Sequence, residues 1–264
     1  MHNTFQNIMV SRKTDIINSQ METVAIIGTI DPNKCYKICN DNIIMVDNNK
    51  KNKIKYLTNK NIKFELNLKN KLHNSKPKCI KIKNIRKKWN DKKQNSNINS
   101  NILGNNGTLE LNKNYLTIPI AKTTKNNLAF YNAKLLKFDD IVQFDITGTL
   151  PITIMNIGEN YVKHFLLDNN KGGGCYIERH STPHFHMPLD ENSNGYLILG
   201  KTINNICHLS AFQIPYGFAI YTLPNVIHCD GYLVGNYLVV YTITEEYSTV
   251  LIKNNGNSAQ VNIK

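Results

Sequence analysis

Several things are missing from this chain, and each absence narrows what it is. No stretch approaches the ~20 consecutive apolar residues that cross a bilayer as a helix, so no membrane association of that kind is expected. The opening residues, MHNTFQNIMVSRKTD, hold no apolar run of signal-peptide length. The six cysteines (Cys35, Cys39, Cys79, Cys175, Cys207, Cys229) include no CxxC pair. Without a secretory route, reduced thiols and a cytoplasmic protein are the expectation. Cys35 and Cys39 stand four apart, but a zinc site there needs two further ligands and no clear pair lies nearby. No repeat of fixed period is visible. Tryptophan occurs once, at Trp89, directly after Arg86-Lys87-Lys88.

Acidic side chains are scarce in one half only. Residues 1–100 carry 7 Asp+Glu against 21 Lys+Arg, whereas residues 101–264 carry 12 against 11. The net charge of +13 therefore belongs to the N-terminal part. A Lys-rich face can bind phosphate backbones or an anionic surface, and Trp89 beside a basic cluster can stack on a base, which makes weak nucleic acid binding by this region one expectation. The plainer reading is solvated surface, because charge runs usually are. The abundance of Asn, Lys, Ile and Tyr, all specified by AT-rich codons, resembles proteins of AT-rich genomes such as large amoeba-infecting DNA viruses or some protists. A viral protein would then work in the host cytoplasm or the virion.

Two regions are expected. Residues 1–106 form a basic, Lys/Asn-rich N-terminal region of irregular appearance. Within it Ile54–Leu57 and Ile62–Leu66 alternate like short strands and Lys92–Asn101 reads as a linker. Residues 107–264 form an all-β domain. There, short β-rich runs are separated by turn signals: Leu116–Ile120, Leu128–Phe130, Ile141–Ile146, Ile152–Ile157, Tyr161–Leu167, Cys175–Arg179, Tyr196–Leu199, His208–Ile214, Phe218–Leu223, Tyr237–Ile243 and Thr249–Ile252. Val24–Ile30 and Ile43–Val46 are candidates for further strands. No helix-period segment of convincing length occurs after residue 140. Many strands of this length and spacing suggest a sandwich or barrel.

The chemistry is concentrated in His184-Phe185-His186. Strand side chains alternate faces, so both imidazoles point into one interior while Phe185 points away. Pro183 places the pair at a strand start. Glu191, five residues beyond His186, can supply an oxygen ligand or orient a histidine. Asp190 serves instead if the loop register slips by one. His228, on a strand rising out of the Pro224 turn, supplies a third imidazole, and His180 at the end of the preceding strand is a further candidate. Such a donor set suits Fe(II), Mn(II), Ni(II), Cu(II) or Zn(II) with positions left open. Glu178 and Arg179 read more readily as a cross-strand surface pair than as substrate contacts. Lys171-Gly172-Gly173-Gly174 is a turn rather than a phosphate cradle, since no helix follows it.

These residues resemble the cupin superfamily across roughly 140–252. The first cupin motif is matched by Gly174, His184-Phe185-His186, Glu191 and Gly200, and the second by Pro215-Tyr216-Gly217 and His228. Gly174 lies further before the first histidine and Gly200 further after the glutamate than the motif has them. His228 lies much further beyond Pro215, which makes Pro224 the alternative turn, and Cys229-Asp230-Gly231 follows His228 where the motif has an Asn. The resemblance implies a jelly-roll β-barrel with His184, His186, Glu191 and His228 as metal ligands. It also implies a small-molecule substrate and dioxygenase- or isomerase-type chemistry, with Glu191 as a fourth ligand or catalytic proton-transfer group, and homodimerisation through the sheets. Tyr221, one of several tyrosines around the expected cavity, is a further candidate catalytic group by residue type, although tyrosine is also a common strand residue. The resemblance also admits a metal-free sugar epimerase or isomerase using His228 with Asp230 or Glu178. A non-enzymatic binding protein is the reading from a different class.

Overall fold

A computed structural model describes residues 21–46, 76–82, 106–240 and 247–264. Strands β1 (Met21–Ile30), β2 (Cys35–Ile38), β3 (Ile43–Val46) and β4 (Ile80–Ile82) precede β5 (Asn106–Glu110), β6 (Tyr115–Ile118), β7 (Ala133–Lys137) and β8 (Ile141–Gln143). After these come β9 (Leu150–Ile157), β10 (Tyr176–His180), β11 (His184–Pro188), β12 (Asn194–Gly195), β13 (Leu197–Ile203) and β14 (Ile206–Phe212). The last six are β15 (Phe218–Thr222), β16 (Ile227–Cys229), β17 (Leu233–Val240), β18 (Tyr247–Asn254), β19 (Asn257–Ser258) and β20 (Gln260–Ile263). The molecule is all-β: 54% strand against 7% helix, in curled sheets that make a half-barrel.

Two large sheets do most of the work. The first runs β1-β9-β17-β11-β15-β7, with β12 on β17, and the second runs β19-β18-β10-β16-β13-β14-β4, with β5 parallel to β18. A third, small sheet has the order β3-β2-β8, and β20 pairs in parallel with β6. The chain repeatedly changes sheet. β10 lies in the second and β11 in the first, and β15, β16 and β17 alternate first, second, first. This alternation brings residues distant in sequence onto facing inner surfaces. It also draws the described N-terminal strands into the body, since β1 pairs with β9, β2 with β8 and β4 with β14.

Strand periodicity sorts the core into two clusters. Met155, Ile220, Tyr237 and Val239 of the first sheet join Ile177, Leu199, Leu209 and Val250 of the second in the larger one. Phe185, Met187, Ala219, Tyr221, Leu238 and Val240 belong to the other face of the first sheet and pack with Tyr36, Ile38, Ile43 and Val142 of the small sheet. β11 is therefore covered on both sides, and all five of its residues are buried.

Two expected strands turn out otherwise. Leu128–Phe130 falls in helix α1 (Lys125–Phe130), where the Thr124 hydroxyl accepts from the Asn127 N–H as an N-cap and only Leu128 is buried. Tyr161–Leu167 holds a single π-helical turn over Val162–Leu166. The glycines Gly172 and Gly174 close it, donating to the Phe165 and Leu166 carbonyls. In both segments a short apolar run carries no strand-specific period, so the local hydrogen bonds decide. Ile54–Leu57, Ile62–Leu66, Trp89 and Lys92–Asn101 lie outside the described residues, as does most of the basic segment proposed for nucleic acid. Among the described residues no helix is long and apolar enough to cross a membrane.

Candidate metal centre

The site forms where β10 hands over to β11. His180 ends β10 in the second sheet and His184 begins β11 in the first, with only Ser181-Thr182-Pro183 between them. Their rings stand 4.5 Å apart. The His180 carbonyl accepts from the Asn225 N–H at 2.8 Å, which pins the turn preceding β16 against the end of β10. Asn225 adopts a φ of 64°, a left-handed conformation that asparagine tolerates better than most residues. From that turn β16 carries His228 into register opposite Glu178. The His228 ring lies 4.8 Å from His180 and 4.5 Å from His184, and His186 lies 5.1 Å from His184.

Four imidazoles thus meet between the sheets, all of them buried. Two overlapping sets bring one donor atom from each residue within 4.8 Å of the others: His180, His184 and His228, and His184, His186 and Asp230. His184 belongs to both. Glu178 flanks the cluster with Oε1 3.6 Å from His228 Nε2, too far for a hydrogen bond.

Hydrogen bonds fix the tautomers of three rings. A backbone carbonyl can only accept, so His180 Nδ1–H donates to Thr182 at 2.7 Å and His228 Nδ1–H donates to Val226 at 2.9 Å. Each neutral ring then carries its lone pair on Nε2. His186 is held the other way, with Nε2–H donating to Asp230 Oδ2 at 3.3 Å, and Tyr176 donates to the second Asp230 oxygen at 2.6 Å. A chain Tyr176–Asp230–His186 results. His186 Nδ1 and His228 Nε2 are buried without hydrogen-bond partners. An unsatisfied buried nitrogen costs about 1–3 kcal/mol, a penalty that a bound cation removes. The donor set therefore fits a divalent transition ion: imidazole nitrogens presented by carbonyl-anchored rings, with carboxylates at the edge.

The electrostatics are uneven. Burial pushes the His180 imidazolium down to about 3, with His228 adding to the effect, so His180 is neutral at pH 7. Burial works against the charged form of His228 too, but Glu178, the Val226 carbonyl and Asp230 outweigh it and raise its pKa. For Asp230, burial favours the neutral acid, yet His186, Tyr176 and His228 together hold the carboxyl well below the usual range. The Tyr176 hydroxyl is raised well above its ordinary value by burial and by the Asp230 charge.

Of the residues expected from the sequence, His184, His186 and His228 lie together here, with His180. Glu191 does not join them. It is exposed in the turn after β11 and falls in neither donor set. A strand rises about 3.3 Å per residue, and β11 continues to Pro188, which carries the chain away from His186 before it bends. Asp190 does not replace it. Its carboxylate accepts from Ser193 N and Asn192 N and holds the turn.

Tyr221 is also elsewhere. It sits opposite Phe185 in the β11–β15 register, hence on the face away from both histidines, and its hydroxyl accepts from the Asp145 N–H at 3.0 Å. A period of two sends Tyr221 outward whenever its neighbours Ile220 and Thr222 point inward. Glu178, read as one half of a surface pair, instead lines the cluster with its side chain 13% exposed. A signal that groups Glu178, His180 and Asp230 with the other histidines was present. Glu178-x-His180, His184-x-His186 and His228-x-Asp230 are three strand dyads of spacing two, and only the middle one matches a known motif.

Comparison with protein-family models, with curated proteins and with solved structures finds no significant match. The resemblance to cupins therefore rests on the sequence motif residues alone.

Proposed function

We propose that this protein is a metal-dependent enzyme of cupin type acting on a small molecule, with a divalent transition ion (Fe, Mn, Ni, Cu or Zn) bound between the sheets. The observation that carries this reading is the convergence of His180, His184 and His228 from two sheets, with His228 Nε2 buried and lacking a hydrogen bond. His180, His184 and His228 would hold the ion, and Asp230 stands ready to complete the shell on the His184–His186 side. When bound, such an ion supplies Lewis-acid or redox chemistry of the kind used in oxygenation and isomerisation.

The chain's own groups divide the remaining work. Thr182 and Val226 carbonyls orient the ligand rings, and Tyr176 and Asp230 hold His186 in one tautomer with Nδ1 unprotonated. That nitrogen can accept a proton from a substrate carbon or hydroxyl. Val239, opposite His186 in register, and Leu199, opposite His228, are fully buried beside these rings.

Metal analysis of purified protein is the direct test. About one equivalent of a transition ion per chain, lost in His184→Ala, is expected. Less than about a tenth of an equivalent, unchanged by that substitution, rejects the metal reading.

The hydrogen-bonded His186–Asp230–Tyr176 chain favours a second reading. There the barrel is a metal-free isomerase or epimerase using His186 with Asp230 as an acid–base pair. Activity that survives exhaustive chelation and disappears in His186→Asn would select it.

A further inference from the structure

The geometry points to a second reactive site: Cys79 and His208 form a thiol–imidazole pair whose thiol exchanges with anionic low-molecular-weight disulfides such as glutathione disulfide. Cys79 immediately precedes β4, the edge strand whose Lys81 lies opposite His208 in β14. Its Sγ is 3.6 Å from His208 Nδ1. His208 is buried and Cys79 is half-buried. Position is fixed from below. Tyr131 hydrogen-bonds Ser210 at 2.6 Å, and the Ser210 hydroxyl donates to the Lys78 carbonyl at 2.7 Å, which anchors the residue before Cys79 to β14.

The surroundings select the reagent. Lys76 and Lys201 stand over the Phe130 ring at 5.9 and 5.2 Å, and that ring meets His208 edge-on at 6.3 Å. With Lys81 they give the pair a cationic rim, which attracts an anionic electrophile. Burial, reinforced by Lys76 and Lys81, depresses the His208 imidazolium, so the ring is neutral and its Nδ1 faces the Cys79 thiol as an acceptor.

The exchange balances without further reagents. His208 Nδ1 removes the Cys79 proton and the thiolate attacks one sulfur of the disulfide. The old S–S bond breaks as the new one forms, and the departing glutathione thiolate takes the proton back from the imidazolium. The other cysteines are poorer competitors. Cys35, Cys175, Cys207 and Cys229 are buried, and Cys39 turns its thiol to the Lys37 carbonyl at 3.9 Å.

The test uses the full-length protein at neutral pH, with per-cysteine alkylation by iodoacetamide and iodoacetate followed by peptide mass spectrometry. Cys79 is expected to react about tenfold faster than Cys39, since Cys79 has an imidazole nitrogen beside its sulfur to take the proton as it attacks, whereas the Cys39 thiol faces the Lys37 carbonyl. His208→Asn should bring Cys79 down to the Cys39 rate. The surface pair Lys76→Gln with Lys81→Gln should abolish any preference for iodoacetate while leaving the fold intact. Glutathione disulfide should then label Cys79 first. Equal rates at Cys79 and Cys39, or a Cys79 rate indifferent both to His208→Asn and to the lysine substitutions, would overturn the assignment.

Discussion

The two faces of β11 make an instructive pair. Both are buried, yet Phe185 and Met187 meet an apolar cluster under the small sheet, while His184 and His186 meet two more imidazoles and a carboxylate from the opposite sheet. The outer face is an ordinary hydrophobic core, and burial itself is its stabilisation. The inner face gives up that stabilisation, since the buried His186 Nδ1, which lacks a hydrogen bond, costs free energy. A strand that buries polar groups on one side only has a constraint on that side that packing does not supply.

The contrast can be broken most strongly from the outer face. Phe185→Ala removes a fully buried ring and should cost about 3–5 kcal/mol in denaturant unfolding, with metal stoichiometry retained by the folded fraction. His184→Ala should act the other way round. The expected loss is about 100-fold or more in metal affinity by titration calorimetry. Metal-free stability should move by only about 1 kcal/mol. Asp230→Asn leaves His186 without its charged partner and should weaken metal binding by about 10–100-fold. If Asp230→Asn binds as tightly as the parent, the His180, His184, His228 set holds the ion without help from the second set.

Smaller effects sharpen the comparison. Tyr221→Phe loses one hydrogen bond to the Asp145 N–H and should cost about 1 kcal/mol of stability with metal affinity unchanged. Lys134, opposite Tyr221 in register, has its ammonium depressed by burial from 10.5 to about 8, partly countered by Asp145. The unfolded chain therefore binds more protons between pH 8 and 10.5, so this group adds stability as pH rises through that window. Unfolding midpoints of the parent against Lys134→Met should converge across it. Glu191→Gln should change neither stability, within about 0.5 kcal/mol, nor metal content.

How much was legible in the sequence follows from these same residues. The strands were readable where β-branched and aromatic residues run between turn signals, as in Phe218–Leu223 and Thr249–Ile252, and were misread at Leu128–Phe130, where the Thr124 cap makes a helix of an apolar run. His184 and His186 could be assigned to one face from spacing alone. Glu191 was drawn in by motif analogy although the straight course of β11 leads away from the cluster, and Tyr221 by residue type although its position in β15 points it outward. Glu178 and Asp230 entered the candidate site only as acid–base partners of His228 in the metal-free reading, because each stands two residues from a histidine outside β11 and only strand pairing brings them to the same cluster.

By itself the sequence determined that this chain is built of short strands and that certain pairs of side chains share a face, because both follow from a local period of two. Which faces meet was decided only in three dimensions. The short crossover at Ser181–Pro183 and the Asn225 hydrogen bond to His180 set β10, β11 and β16 around one point, and such contacts between strands leave no period in the chain to read.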